Sequence, residues 1–359
     1  MKIVYLTDIH GSYSELELIG AFAKEINADL IIASGDLVET GFLDEGKMRK
    51  YKKLGGKLWS IVKDQPFFTR ISPFEATRCM PVIAQKLLET KDKDLRKLAE
   101  DYLSVLSDAN DAMDLQYAML KDSLDKALVA FYCVPGNYDK YLENTVLEER
   151  DLHQKSVKLK GLKIAAYGSA NDILFGDLIP HTKMPISNEV IPLIPIELTV
   201  PFNEYLVGER LISEPYEFLS KENPDLVFTH IPARGLLDKL KDERNVGSPG
   251  IARYLMENDP LLICSGHVHE AKDLTKISKP NTKVRTALNP GSFAKENSPD
   301  YGNFAVIELD EERKTLESIA LYKLIDPKDI KSIFLEGKIL RTEDNRLIPL
   351  IVNNFPYQN

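Results

Sequence analysis

The sequence predicts an α/β protein interrupted by a helical insertion. Short apolar runs recur along the chain, and several end in polar motifs rich in Asp, Asn and His. Between two of these motifs, apolar residues recur instead at three- and four-residue spacing, the period of an amphipathic helix. The chain has 359 residues, enough for one elaborated domain or about two to three ordinary ones.

The first element is Ile3–Leu6, a short strand, and Ser14 can cap a helix over about 15–26 with Leu16, Ile19, Ala23 and Ile26 on one face. Asp29–Ala33 reads as a second buried strand delivering Gly35-Asp36. From Asp44 to Leu128 the pattern turns helical. Leu95, Leu98, Tyr102 and Val105 form one stripe, and Met113, Tyr117, Leu120, Leu124 and Leu128 another. Two amphipathic helices paired as a hairpin are expected there, with shorter helices before them. This segment would serve packing or homodimerisation, or would act as an active-site lid. The basic run of Lys47, Arg49, Lys50, Lys52, Lys53 and Lys57 reads as a solvated helix face rather than a substrate-recruiting patch.

Strand character resumes at Ala130–Val134, which leads into Gly136-Asn137-Tyr138-Asp139. Ser156–Leu159 and Leu162–Tyr167, joined by Lys160-Gly161, suggest a hairpin. Residues 171–210 are proline-rich and read as an irregular insertion. A strand over Pro224–Thr229 leads to His230, and Ser248-Pro249 starts a helix running to about Glu257. Leu261–Cys264 precedes Gly266-His267-Val268-His269, and Val284–Leu288, Phe304–Leu309 and Leu316–Leu324 close the core, the last two pairing. The expected organisation is a core of 1–43 and 129–325, a helical insertion of 44–128, and a tail of 326–359 that the pattern does not place.

Four of the six histidines, His10, His230, His267 and His269, fall in these motifs. Asp8 and His10, like His267 and His269, are two residues apart and would face the same way on an extended strand. With Asp36 and the amide oxygen of Asn137 they make seven donors, more than one transition ion needs and suited to two ions sharing a carboxylate. His153 and His181 lie outside the motifs and are not expected to ligate; Trp59 is expected to pack.

The ordered series resembles that of the calcineurin-like metallophosphoesterases. The matching stretches are Thr7-Asp8-Ile9-His10-Gly11, Ser34-Gly35-Asp36, Pro135-Gly136-Asn137-Tyr138-Asp139, Thr229-His230-Ile231-Pro232 and Ser265-Gly266-His267-Val268-His269-Glu270. Asn289-Pro290-Gly291-Ser292 resembles the family's late loop. The resemblance spans about 1–40, 129–170 and 225–325. It implies a four-layer α/β/β/α sandwich with a dinuclear site at strand ends. Asp8, His10, Asp36 and His269 would hold one divalent ion, and Asp36, Asn137, His230 and His267 the other, the metals being manganese, iron, zinc, nickel or magnesium. A metal-bridging hydroxide would attack phosphorus in line.

One position departs from the family pattern. Histidine usually follows Gly-Asn, and that histidine assists the leaving oxygen; here the residue is Tyr138. A phenol, with a reference pKa of about 10 against about 6.5, is the weaker general acid. Tyr138 could still donate a hydrogen bond, with Asp139 beside it in the catalytic motif, and the departure favours a phosphodiester, which with a good leaving group needs less protonation. Arg234 could reach substrate phosphate.

A formal net charge of −9 argues against general affinity for nucleic acid or anionic membrane. The expected substrate is a small-molecule or nucleotide phosphoester; a nuclease and a catalytically inactive scaffold with the same fold are the alternatives. Cys79, Cys133 and Cys264 are odd in number and widely spaced, which fits a reducing cytoplasm. No run approaches the roughly 18 apolar residues of a membrane span.

Overall fold

A computed structural model describes residues 1–64, 73–170, 195, 198–207, 210–277, 285–294, 301–324 and 347–354. Two six-stranded sheets form the centre of the first of two compact units, which comprises Met1–Glu39, Ala118–Gly176 and Val200–Asn359. The first sheet contains β1 (Lys2–Thr7), β2 (Leu30–Ser34), β3 (Phe131–Val134), β12 (Asn303–Asp310), β13 (Thr315–Leu324) and β14 (Leu347–Asn354). Its order is β14-β13-β12-β1-β2-β3. β1, β2 and β3 run parallel, while β12 pairs antiparallel with β1 and with β13. The second sheet contains β4 (Lys155–Leu159), β5 (Leu162–Tyr167), β8 (Leu226–Thr229), β9 (Leu262–Cys264), β10 (Asp273–Ile277) and β11 (Arg285–Asn289), in the order β10-β11-β9-β8-β5-β4. A separate hairpin joins β6 (Glu204–Val207) to β7 (Arg210–Ser213).

The alternation of side chains along each strand explains the layering. Ile3, Tyr5, Leu30 and Ile32 from the first sheet meet Ile164, Leu226, Phe228 and Leu262 from the second in one buried cluster. The opposite face of the second sheet, with Ala165, Val227 and Ile263, is covered by α5 (Glu214–Glu222) and α6 (Pro249–Glu257) through Leu219, Ile251 and Tyr254. α1 (Tyr13–Glu25) lies on the first sheet, its Phe22 ring against Phe304 and Tyr322. Helix, sheet, sheet and helix make four layers, as expected.

The second unit comprises Thr40–Tyr117 and Asp177–Thr199, and of the latter stretch Pro195, Leu198 and Thr199 are described. It contains α2 (Glu45–Val62), α3 (Pro73–Leu87) and most of α4 (Lys93–Asp125). Phe42, Tyr51, Leu58, Tyr102 and Val105 share its core, and Trp59 packs against it. The hairpin expected over 95–128 is a single helix. Leu106 and Ala109, both buried, continue the apolar stripe through the polar stretch that suggested a break. On α2, Lys47 pairs with Asp108 at 3.0 Å and Arg49 with Glu45 at 3.0 Å, so part of the basic run is neutralised on its own surface.

Other boundaries shift for local reasons. Ser12 rather than Ser14 occupies the N-cap of α1, and the Ser14 hydroxyl bonds Glu15 instead. Ser248 does cap α6, accepting from the Ile251 N–H at 3.0 Å. The irregular stretch expected to reach residue 210 contains β6; most of it, His181 included, lies outside the described residues. The tail contributes β14, which pairs with β13. All three cysteines are free, and no helix among the described residues is long and apolar enough to cross a membrane.

His153 is 8% exposed and its Nδ1 accepts the Gly168 N–H at 2.9 Å, a bond only the neutral ring can make. Burial pushes its pKa down to about 4. A histidine depressed in the folded state resists protonation that the unfolded chain, near pKa 6.5, accepts freely. Its contribution to stability is therefore full above about pH 6.5 and is lost as the pH drops toward 4. Acidification from pH 7.5 to 5 should cost about 2 kcal/mol through this residue. Urea unfolding of wild type and His153→Gln at both pH values should show a loss larger in wild type by about this amount.

Candidate metal centre

The seven donors stand on loops at the carboxyl ends of five strands, three from one sheet and two from the other. Asp8 and His10 follow β1, Asp36 follows β2, Asn137 follows β3, His230 follows β8, and His267 and His269 follow β9. β1, β2 and β3 are parallel neighbours, as are β8 and β9, so all five ends open at one rim. Strand ends at such a rim are where α/β sheets gather ligands.

Asp36 is the centre of the arrangement. Its Oδ2 lies 3.6 Å from His10 Nε2 and 3.5 Å from His230 Nε2, while its Oδ1 accepts the Tyr138 N–H at 2.9 Å. One oxygen is fixed by backbone and the other faces imidazoles from both sheets. Asn137 Oδ1 lies 3.0 Å from His230 Nε2 and 3.1 Å from His267 Nδ1. Asp8 Oδ1 is 3.2 Å from His269 Nε2, and both Asp8 oxygens accept the His267 N–H. Asp8, His10 and His269 converge closely enough to hold a metal ion, as do Asp8, Asp36 and His230. Every donor is an oxygen or an imidazole nitrogen, a set suited to divalent first-row metals.

The i, i+2 spacing does not work as an extended strand would make it work. Asp8, His10, Asp36 and His267 all have positive φ, at 55°, 38°, 46° and 64°. Such backbone costs about 1–3 kcal/mol per residue and survives only where its surroundings over-determine it. Here they do: Asp8 N–H donates to Gly35 O, His10 N–H to Asp36 O, and Ala294 N–H to Asp8 O. Gly35 has φ +87°, and a Cβ there would stand 1.9 Å from His230 Nδ1.

Several residues without an assigned role support the donors. The Thr7 hydroxyl bonds both Asp8 Oδ2 and Ser34 O, tying β1 to β2 beneath the site. A lone hydroxyl closing an apolar strand was the sequence signal for it. In the late loop, Asn289 Nδ2 donates to Val268 O, and Ser292 Oγ to Asp8 O. Asp139 is fully buried, and its carboxylate accepts from the N–H groups of Gly136, Leu37 and Val38. Tyr138 stands edge-on to the His10 ring, with centroids 5.4 Å apart. Arg234 is half-buried four residues beyond His230, its N–H bonded to Ser248 O.

Electrostatics divide the histidines. Burial lowers the pKa of His10, and burial with His230 beside it takes His267 down to about 4. Burial also opposes charge on His230, but Asp36 overrides it and raises the pKa to about 9. Burial likewise works against charge on His269 and is overcome by Asp8. Asp8 and Asp36 are held ionised by these histidines in spite of burial.

A metal taking the His230 nitrogen must displace that proton. Affinity should therefore rise with pH up to about 9, by about tenfold per unit for each proton displaced. Calorimetric titration of the metal-free protein at pH 7 in buffers of different ionisation enthalpy should register proton release. Gly35→Ala should abolish tight binding in the same titration.

The family model for calcineurin-like phosphoesterases matches residues 1–70 and 83–271. No curated protein sequence matches the chain. Among solved structures, a dimetal phosphatase from Danio rerio is similar at 10% identity, covering 89% of this chain and 95% of that one, with a TM-score of 0.46. A protein of Thermus thermophilus is 15% identical over 88% of this chain and 96% of its own, with a TM-score of 0.40. A purple acid phosphatase from yellow lupin seeds is 10% identical over 89% of this chain and 50% of its own, with a TM-score of 0.38. The family match extends over every one of the seven donor positions, and the chain belongs to the calcineurin-like phosphoesterases, a family of metal-dependent hydrolases.

Proposed function

We propose that the protein is a dinuclear-metal phosphodiesterase. The observation that carries this reading is Asp36 Oδ2, within 3.6 Å of one imidazole from each sheet. Asp8, His10, Asp36 and His269 would hold one divalent ion, and Asp36, Asn137, His230 and His267 the other. Divalent ions bound there would supply a nucleophile from water near neutral pH and offset charge on the phosphoryl oxygens.

The protein's own groups set the rest. Asp139 acts as a positioning residue, because its carboxylate holds the backbone of the Asp36 and Asn137 loops together. Tyr138 occupies the place where the family usually has histidine, with its ring against His10. A phenol there donates a hydrogen bond to a phosphoryl or leaving oxygen but transfers a proton poorly at neutral pH. Diesters with good leaving groups tolerate that, which supports the diesterase reading. Arg234, on the His230 loop, is proposed to meet the substrate phosphate.

Hydrolysis of bis(4-nitrophenyl) phosphate and 4-nitrophenyl phosphate with Mn²⁺, Ni²⁺, Zn²⁺ or Mg²⁺ tests the reading. The diester should be preferred, and faster monoester turnover would reverse the substrate assignment. Asp36→Asn should lower kcat/KM by about 100-fold or more, since even outer-shell partners of a metal cost 10–100-fold. Tyr138→Phe should lose about tenfold in kcat, a modest share of what general acids supply; unchanged turnover would remove the hydroxyl from the chemistry.

A further inference from the structure

Among the described residues, β3 is the one donor-bearing strand at a sheet edge; β1, β2, β8 and β9 each lie between two others. The loop that carries Asn137 therefore leaves the first sheet with a strand neighbour on one side only. Its bracing comes from the second sheet. Residues 151–154 run from one sheet to the other. Leu152 N–H donates to Cys133 O of β3 at 2.9 Å, and Gln154 N–H to Ala166 O of β5 at 3.0 Å. His153, between them, accepts the Gly168 N–H on Nδ1 at 2.9 Å, with its ring 5.1 Å from that of Tyr167.

The residues leaving β5 then close on the Asn137 loop. Ser169 N–H donates to Pro135 O at 2.6 Å, and its hydroxyl to Val200 O at 2.6 Å. Val200 N–H in turn donates to Asp139 O at 2.9 Å. Residues 135–139 are thus held at one end by Ser169 directly and at the other through Val200. Ser169 is fully buried and has φ +70°. Such backbone survives only where its surroundings over-determine it, and it concentrates at functional sites. The approach is also close: a Cβ on Gly168 would stand 2.5 Å from Pro135 O and 2.6 Å from Pro135 Cδ. Between the two held ends, Asn137 Oδ1 lies 3.0 Å from His230 Nε2 and 3.1 Å from His267 Nδ1. Asp8, His10 and His269 stand on other loops, after β1 and β9.

We propose that Ser169 is a positioning residue for the second ion, fixing Asn137 from the opposite sheet. His153 and Gly168 act with it, the first by holding the chain at Gly168, the second by admitting that chain against Pro135. This rests on the dinuclear reading for there being a second ion, but not for the coupling of Ser169 to Asn137.

Calorimetric titration of the metal-free protein with Mn²⁺ tests it without turnover. Ser169→Ala should weaken the second ion about tenfold, the lower end of what outer-shell partners are worth, and the first by less than about twofold. In an Asn137→Ala background the same substitution should matter by less than about twofold, because residues that act through one another are not additive. Gly168→Ala, which pushes on Pro135, should cost the second ion about tenfold or more. His153→Phe keeps a ring but removes the acceptor and should cost about threefold. His153→Asn, whose Oδ1 can accept the Gly168 N–H, should recover that loss. The His153 pair covers the case that Ser169→Ala does not fold. Unchanged affinity for both ions, or an equal loss at both, would overturn the proposal and leave these bonds as satisfied buried backbone only. A single-ion isotherm in wild type would remove the dinuclear reading. The coupling would then stand if Ser169→Ala weakens that ion only while Asn137 is present, and fall if it does so equally in Asn137→Ala.

Discussion

The whole arrangement depends on burying like charges at one point between two sheets. Asp8 and Asp36 are almost fully inaccessible, and each is ionised against the pull of desolvation. Two carboxylates can share such a place only where positive charge is supplied to both. In the protein alone, against burial, Asp36 raises the pKa of His230 to about 9 and Asp8 raises that of His269, so both rings favour the charged form more than a free imidazole does. A divalent ion would do the same with more charge and at fixed geometry. Beneath the two carboxylates lies an apolar core in which Tyr5 and Phe228 pack between the sheets.

That burial also explains the backbone. Four donor residues lie in left-handed conformations because the chain must turn away from the sheet at once, without another strand residue, to keep each side chain over the rim. Thr7, Asn289 and Ser292 hold these turns by side-chain bonds to neighbouring loops. The strain is local, but its support comes from four different segments of chain. Substituting a supporting residue disturbs a donor it never touches through its own chemistry, as the Asp139 carboxylate does by fixing Leu37 and Gly136.

Much of this was legible in the amino-acid order. Donor types are chemically distinctive, and each followed an apolar run whose strand character did not depend on tertiary context. Ser248-Pro249 marked the start of α6 because cap and N1 proline are local signals. What escaped was non-local. The turns at Asp8 and His10 are set by Gly35, Asp36 and Ala294, none of which is adjacent in sequence to them. The continuity of α4 rested on Leu106 and Ala109, too few apolar residues to register against Ser107, Asp108, Asn110 and Asp111. β14 is recognisable as a strand only once β13 offers it an edge. The bond from Ser169 to Pro135 has no signature at all until the two sheets pack against each other.

The pairing of β1 with β12 has a consequence for synthesis. Lys2 lies opposite Glu308, and the loop just before β12 donates to the carbonyls of Thr7 and Asp8. Chains emerge from the ribosome at about 5–20 residues per second, amino terminus first. The segment carrying the first carboxylate is therefore made about 300 residues before the partners that lock it. During that interval β1 and β2 can pair, but the Asp8 turn lacks its second brace. All seven donors are braced together only when nearly all of the sheet-forming chain has been translated.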